Sequence, residues 1–159
     1  MGDSRRFYLM AELIAAQFPN YKDREIADVA GGKGYLKSEL HRLQYRRVKV
    51  IDRRHRLAKA RPGREYAYFD YRSRDRYALV VGMHPDEATD HIILYAVKNT
   101  VPFVVCPCCI KPSATLYQGK LTQKNWIEHL AHLSQDSHTI SRFTLRMTGK
   151  NEVLIGRPK

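Results

Sequence analysis

The stretch Asp28-Val29-Ala30-Gly31-Gly32-Lys33-Gly34-Tyr35-Leu36 decides the fold of this 159-residue chain. The apolar run that ends at Val29 predicts a buried strand over residues 25–30, and the apolar spacing from Tyr35 predicts a helix over residues 34–45. The glycines between them let the backbone turn sharply and approach a ligand closely. A strand, a glycine loop and a helix whose N-terminus faces the loop are typical of α/β proteins that bind a nucleotide-like cofactor.

Acidic residues stand at the ends of three predicted strands. Asp28 precedes the glycines, Asp52 ends a predicted strand over 47–52, and Asp70 ends one over 66–71. The second acid is placed to hydrogen-bond a ribose diol, and we expect the third near an adenine ring. The acid ahead of the glycines favours S-adenosylmethionine (SAM). The predicted cofactor-binding residues are Asp28, Ala30, Gly31, Gly32, Gly34, Asp52, Arg53, Asp70, Tyr71, Gly82, Met83 and His84.

Two alternatives compete with SAM binding. One is an ordinary glycine turn between a strand and a helix, without a ligand. The other is a dinucleotide such as NAD, which needs a third glycine three positions beyond Gly34, where this chain has Lys37. A dehydrogenase also needs a second nucleotide-binding half or a substrate domain, for which 159 residues leave little room. The sequence therefore favours SAM.

Length and composition predict a single globular domain over residues 1–159, with an N-terminal helix over 4–18 and a core over 24–159. Hydrophobic residues make up 43% and charged residues 28%, a balance typical of folded rather than disordered chains. No apolar run approaches the ~20 residues of a membrane span, and the first residues lack the apolar region of a signal peptide. We expect a soluble, cytoplasmic protein without a membrane partner.

The chain is strongly basic, with a formal net charge of +12. Between Arg42 and Arg76 there are 13 Lys or Arg against four acids, and aromatic residues are interleaved with them. Basic side chains near aromatics suit a phosphate backbone with unpaired bases, so the pattern predicts RNA binding. The alternative is a solvated basic face that only favours solubility. The candidate RNA contacts are Arg53, Arg54, Arg56, Arg61 and Arg64.

The remaining pattern alternates strands with helices and predicts an α/β, Rossmann-like sheet that closes with an antiparallel hairpin. Too few residues separate the third and fourth predicted strands for the usual crossover helix, which conflicts with parallel pairing. The predicted elements are a short helix or loop over 55–61, strand 77–83, helix 88–100, strand 102–106, a helix around 126–133, and the hairpin strands 140–147 and 152–155.

Several motifs resemble one branch of the class I SAM-dependent methyltransferases. They are Val81-Gly82-Met83-His84, Ala88-Thr89-Asp90, Phe103-Val104-Val105-Cys106-Pro107-Cys108-Cys109 and Gly32-Lys33-Gly34-Tyr35-Leu36, within residues 24–115. The branch includes the glutathione S-transferase C-terminal-domain-containing protein, the methyltransferase-like-25 proteins and the acceptor-stem tRNA 2′-O-methyltransferase. The resemblance implies a compact class I methyltransferase domain that uses SAM, with RNA such as tRNA or rRNA as the substrate.

The chain departs from that branch at two places. Pro85-Asp86-Glu87 stands where the branch has a small residue, Cys and Gly, and Ala30 replaces the first loop glycine. Alanine is tolerated there if its φ stays negative. The chain also lacks the accessory domains with which many members choose substrates, so a folded RNA or a protein partner is expected to supply specificity.

Candidate catalytic residues follow the predicted fourth and fifth strands, where this fold presents acceptor-facing groups. His84 is a candidate base near neutral pH, with Asp86 beside it; the alternative is that His84-Pro85 only shapes the loop. Cys108 is a candidate nucleophile, and its alternative is a small side chain that lines the pocket.

The three cysteines, Cys106, Cys108 and Cys109, form no disulfide framework. They also lack the Cys-x-x-Cys spacing of a structural zinc site, and nothing in the sequence brings His129 and His132 to them, so we predict no metal. Two hypotheses therefore remain: an RNA methyltransferase, or a non-catalytic RNA-binding module or subunit on a methyltransferase fold.

Overall fold

The computed structural model describes residues 2–54 and 63–159. Within these ranges seven strands form one mixed sheet in the order β3-β2-β1-β4-β5-β7-β6. Strands β1 to β5 run parallel to one another, whereas β7 is antiparallel to both β5 and β6. The strands are β1 Ile26–Val29, β2 Val48–Asp52, β3 Arg64–Tyr66, β4 Leu79–Met83, β5 Phe103–Cys106, β6 His138–Thr144 and β7 Glu152–Pro158.

Four α-helices within the described residues cover the two faces of this sheet. They are α1 Arg6–Gln17, α2 Tyr35–Arg42, α3 Thr89–Asn99 and α4 Gln123–His132. Helices α1 and α2 pack on one face through Met10, Ile14, Leu36 and Leu40. Helices α3 and α4 pack on the other through Ile92, Ile93, Trp126 and Leu130. Because the central parallel strands are covered on both faces, they are continuous apolar runs rather than alternating ones. None of the helices in the described chain combines the length and apolarity needed to cross a bilayer.

The connection between β3 and β4 contains no helix, although the chain must cross β2 and β1 to reach β4. Residues 67–78 cross the sheet as an irregular segment whose buried Phe69 and Tyr77 pack against Tyr95 of α3, at ring distances of 5.4 and 6.0 Å. The Tyr95 hydroxyl accepts from the Tyr77 amide and donates to the Asp75 carbonyl. Aromatic side chains thus fill the layer that a crossover helix would occupy.

The predicted third strand over 66–71 is wrong in position. Strand β3 ends at Tyr66, whose register partner Asp52 is the last residue of β2. Asp70 therefore lies in the β3–β4 connection and not at a strand end. The prediction of a helix or loop over 55–61, with Arg56 and Arg61, falls entirely on residues outside the described ranges.

The other predicted elements are present with small shifts at their ends. The terminal hairpin is confirmed: β6 begins and ends earlier than predicted, and β7 extends to Pro158 instead of residue 155. The carboxyl ends of β1, β2 and β4 lie side by side, so the residues that follow them meet at one edge of the sheet.

Candidate functional site

A cavity of about 420 Å³ lies at this carboxyl edge. Its size falls within the range of small-molecule sites in proteins. It brings together many of the residues predicted from the sequence: Ala30, Gly31, Gly32, Asp52, Arg53, Met83, His84 and Asp86. Five predicted cofactor residues are not among those lining it: Asp28, Gly34, Asp70, Tyr71 and Gly82.

Asp28 lies directly behind the cavity wall. A Cβ atom added to Gly31 would stand 2.5 Å from Asp28 Oδ2, so only glycine fits between the carboxylate and the cavity. The Asp28 side chain is buried, and neither carboxylate oxygen accepts a hydrogen bond of normal distance and angle from the described residues. Burial raises the pKa of Asp28 to about 7. The nearby backbone amide of Lys37 opposes this rise, the charge of Asp52 adds to it, and the charges of Lys37 and Arg64 offset part of it. An unpaired buried carboxylate at a cavity wall suits a ligand with a positively charged group.

Asp52 occupies the end of β2 and lines the same cavity. Its Oδ2 accepts a hydrogen bond of 2.8 Å from the Gly32 amide, which ties the glycine loop to β2. The Arg54 guanidinium holds both carboxylate oxygens, at 3.0 and 2.8 Å. Burial works to raise the pKa of Asp52, but the bonds from Arg54 and Gly32 outweigh it and lower the pKa. Asp52 is therefore an ionised acceptor whose present partner is Arg54.

Asp70, Tyr71 and Gly82 serve packing and loop structure. The Asp70 carboxylate receives the guanidinium and backbone amide of Arg72 at 2.8 to 3.0 Å. The Tyr71 amide donates to His91 Nδ1 at 3.2 Å. A Cβ atom on Gly82 would lie 2.5 Å from the Ile92 side chain, so this glycine lets α3 pack closely on β4. Where Asp70 was expected, the cavity is lined by Ala67, Tyr68 and Phe69.

Three non-glycine residues at the cavity have a left-handed backbone: Ala30, His84 and Asp86, with φ of 55°, 54° and 52°. The condition stated for tolerating alanine at this position, a negative φ, is therefore not met. The glycine loop needs left-handed conformations at Ala30, Gly32 and Gly34, and only the last two positions have glycine. Strained conformations of this kind are concentrated at binding sites and are maintained by the surrounding structure.

The loop after β4 places the His84 ring against the turn between β6 and β7. His84 Nε2 lies 2.8 Å from the carbonyl oxygen of Lys150. A carbonyl only accepts hydrogen bonds, so Nε2 carries the proton and Nδ1 is the free acceptor. Burial lowers the pKa of His84 below its ordinary value, which keeps the ring neutral at pH 7. His84 is thus a neutral imidazole at the cavity, with one nitrogen available to accept a proton.

The loop after β5 brings Cys108 to the Asp86 carboxylate. Cys108 Sγ lies 3.5 Å from Asp86 Oδ1, and burial raises the pKa of this thiol to about 12. Nucleophilic cysteines need a lowered pKa, so the surroundings do not activate Cys108. For Asp86, burial works to raise the pKa, but the ion pair with Lys111 at 3.3 Å and the nearby thiols lower it. His129 is not part of the group formed by Asp86, Cys108 and Cys109. Its Nε2 forms a hydrogen bond of 3.0 Å with the Thr115 hydroxyl instead.

Asp90, which the resemblance placed in a motif without a role, holds the segment after the cysteines. The buried Asp90 Oδ2 accepts bonds of 2.9 to 3.1 Å from the amides of Ser113, Ala114 and Thr115. Asp90 thereby fixes the path of the chain beyond β5.

The described part of the basic stretch is largely neutralised by acids. Arg53 pairs with Glu87 at 2.6 Å and Arg54 with Asp52, both at the cavity. The Arg64 guanidinium nitrogens Nε and Nη2 are buried. These three arginines, predicted to contact RNA, are therefore not a free phosphate-binding face.

Helix α1 also reaches the cavity, which the sequence pattern did not predict. Arg6 and Phe7 line it, and Phe7 packs on Tyr35 with ring centroids 5.4 Å apart. Lys33, between the loop glycines, also lines it. Among the described residues, neither Arg6 nor Lys33 forms a salt bridge within 4.0 Å. The amphipathic pattern of α1 indicates that it packs on the sheet but does not indicate which end borders a site.

Solved structures share this architecture at low sequence identity. A ribosomal protein L11 methylase from Lactobacillus delbrueckii subsp. bulgaricus aligns with a TM-score of 0.68 and 14% identity over 100% of this chain and 82% of that chain. A SAM-dependent methyltransferase from Aquifex aeolicus aligns with a TM-score of 0.58 and 11% identity over 97% of this chain and 93% of that chain. A chain of the fibrillarin/Nop5p complex aligns with a TM-score of 0.61 and 11% identity over 96% of this chain and 83% of that chain.

The chain has the class I methyltransferase fold. The sheet order, the C-terminal antiparallel strands and these alignments agree on it, so the predicted fold class is confirmed. No protein-family model and no curated protein sequence matches the chain. At identities of 11 to 14% the likeness shows the fold alone, and the narrower branch remains a prediction.

Proposed function

We propose that this chain is a SAM-dependent methyltransferase that binds its cofactor in the cavity at the carboxyl edge of β1, β2 and β4. The observation that carries the proposal is the buried, unpaired Asp28 carboxylate behind Gly31. SAM carries two positive groups, an ammonium and a sulfonium, and a carboxylate without a partner supports binding of a cation. Solved structures of the same fold include SAM-dependent methyltransferases, which agrees with this choice.

The ribose of the cofactor would take the place of Arg54 on Asp52. The Asp52 oxygens now accept from Arg54 and Gly32, and a diol can satisfy the same acceptors. The Arg54 side chain is 49% exposed, so it can leave to solvent without unfolding the loop. Binding therefore exchanges one set of bonds to Asp52 for another and leaves the Gly32 bond in place.

When bound, SAM supplies a methyl group that an electron-rich acceptor atom attacks. The bond between the methyl carbon and sulfur breaks as the new bond forms, and its electron pair stays on sulfur. The chain has to hold the acceptor in line and, where the acceptor carries a proton, remove it. His84 is the candidate base. It would accept the proton on Nδ1 while Nε2 keeps its hydrogen bond to the Lys150 carbonyl. The raised pKa of Cys108 argues against a covalent route through this thiol.

RNA is the substrate class we propose, because the net charge is +12 and because Arg6 and Lys33 border the cavity without a salt bridge. The exposed Arg146 and Lys150 lie in the β6–β7 turn, whose Lys150 carbonyl bonds to His84 at the cavity, so this turn adds two basic residues next to the site. One of the structures that share the fold is a ribosomal protein L11 methylase, so protein acceptors belong in the same test.

The experiment is incubation of the protein with methyl-tritiated SAM and, separately, total RNA, DNA and protein extract. We expect label in RNA, and digestion to nucleosides then separates ribose from base methylation. Label only in protein would overturn the RNA proposal but keep the enzyme. No label in any pool, together with retained RNA binding, would favour the non-catalytic RNA-binding module.

RNA binding at the cavity mouth is tested by charge reversal away from the cofactor groups. Arg146→Glu with Lys150→Glu should weaken RNA binding and reduce the salt dependence of the affinity by about 0.7 to 0.9 in log–log slope per lost phosphate contact. The matched control is Lys22→Glu with Lys98→Glu, exposed residues near the amino ends of β1 and β5. Equal effects of the two pairs would mean that the charge acts only through the net field.

A further inference from the structure

Three metal-ligating side chains converge where the loops after β4 and β5 meet. Asp86 follows β4, and Cys108 and Cys109 follow β5. Because β4 and β5 are neighbouring parallel strands, their carboxyl ends bring the two loops together. One ligand atom from each residue lies within 4.8 Å of the other two, and all three residues are partly buried.

The spacing of these atoms is close to that of a tetrahedral zinc site. With Zn–S of about 2.3 Å and Zn–O of about 2.0–2.2 Å, tetrahedral ligand atoms are about 3.5–3.8 Å apart. The distance from Cys108 Sγ to Asp86 Oδ1 is already 3.5 Å. The cluster was hidden in the sequence because its ligands come from two loops separated by more than 20 positions and do not follow a Cys-x-x-Cys pattern.

We propose that Asp86, Cys108 and Cys109 form a binding site for a single Zn²⁺ ion. Two sulfur ligands and one carboxylate oxygen suit this borderline-soft cation better than Mg²⁺ or Ca²⁺, which prefer oxygen throughout. On binding, the two thiols lose their protons to solvent and both sulfurs become thiolates. Three protein ligands leave a fourth position, as in zinc sites that hold water or a substrate atom.

Lys111 pairs with one of the three proposed ligands. Its Nζ lies 3.3 Å from Asp86 Oδ1, and its side chain is 45% exposed. An incoming cation would replace the ammonium group on the carboxylate, and the lysine can swing into solvent. Lys111 is therefore a competitor of the metal and not a fourth ligand, since a protonated amine has no lone pair to donate.

Asp86 also lines the cavity, so the ion would border the space next to His84. Coordination of a methyl acceptor in the fourth position follows only if the proposed function holds. The metal site itself does not depend on it, because the titration below needs neither SAM nor an acceptor.

The test is a titration of the reduced, oxygen-free protein with Co²⁺, whose spectrum reports its ligands, followed by Zn²⁺. We expect one equivalent of Co²⁺ to produce a thiolate-to-cobalt charge-transfer band and tetrahedral d–d bands, which one equivalent of Zn²⁺ then abolishes. Cys108→Ser and Cys109→Ser should each weaken binding by at least about 100-fold, and Asp86→Asn by about 10-fold or more.

Two further variants separate loss of a ligand from loss of the fold. Lys111→Met should strengthen metal binding a few-fold, which disruption of the structure could not do. Cys106→Ala, with its thiol buried in β5 outside the cluster, should keep the bands. The proposal is overturned if Co²⁺ gives no thiolate band, if the band survives in the Cys108→Ser/Cys109→Ser variant, or if Lys111→Met leaves the affinity unchanged.

Discussion

Replacing Asp28 by Asn removes a buried carboxyl group whose oxygens accept no hydrogen bond of normal distance and angle from the described residues. Burial raises the pKa of this group from 3.8 to about 7 in the folded protein. The folded state thus holds the proton more tightly than the unfolded state does. The stability associated with that proton is fully present below about pH 4 and is lost as the pH rises through 7.

The magnitude follows from the size of the shift. A change of about three pKa units corresponds to about 4 kcal/mol of unfolding free energy between acid and alkaline limits, at 1.36 kcal/mol per unit. Between pH 5 and pH 8 the contribution of this group to the unfolding free energy is expected to fall by about 2 to 3 kcal/mol. Asn has the same shape but no charge, so the variant should gain stability relative to wild type as the pH rises, by this amount.

The assay is urea-induced unfolding of wild type and Asp28→Asn at pH 5, 6, 7 and 8. Taking the difference in unfolding free energy between the two proteins cancels the effect of every other titrating group. Asp136→Asn is the matched control because Asp136 is exposed. A pH-independent difference for Asp28→Asn would refute the reasoning, because the carboxylate would then already be stabilised in the folded protein.

Three other substitutions test the glycine loop and the loop after β4. Ala30→Gly should raise the unfolding free energy by about 1 kcal/mol because φ is 55° there, whereas Ala15→Gly in α1 should lower it; a loss at both positions contradicts the strain. Gly31→Ala should cost about 1–3 kcal/mol in thermal or urea unfolding, and less in an Asp28→Ala background, since its Cβ would meet Asp28; additive costs would exclude that contact. His84→Asn, which tolerates the left-handed backbone, should lower kcat about 100-fold or more without changing SAM affinity; an unchanged kcat removes His84 as the base.

Local pattern was enough to predict the central part of the fold. Strands β1 and β2 are covered on both faces, so they appear in the sequence as apolar runs, and the glycines between β1 and α2 mark the turn. Strand β3 was misplaced because an edge strand is defined by how far its partner extends, and Asp52 ends that partner. The apolar and aromatic run around Tyr68 and Phe69 carries no information about where the partner strand ends.

The site was predictable only where its residues follow strand ends directly. Asp52 and His84 were placed at the cavity for that reason, whereas Asp70 depended on the wrong end of β3. The bonds from Arg54 to Asp52 and the approach of Cys108 to Asp86 depend on side-chain geometry across loops, which periodicity does not describe. The left-handed φ of Ala30 is likewise a property of the folded loop.

Calorimetric titration of the full chain with SAM tests the central claim most directly. We predict binding of one SAM per chain, lost in Asp52→Ala, with an affinity for wild type that rises between pH 6 and pH 8 as Asp28 ionises. The Asp28→Asn variant should bind more weakly and without that pH dependence. Absence of binding at millimolar SAM, or binding that is indifferent to both Asp52→Ala and Asp28→Asn, would contradict the assignment of this cavity to the cofactor.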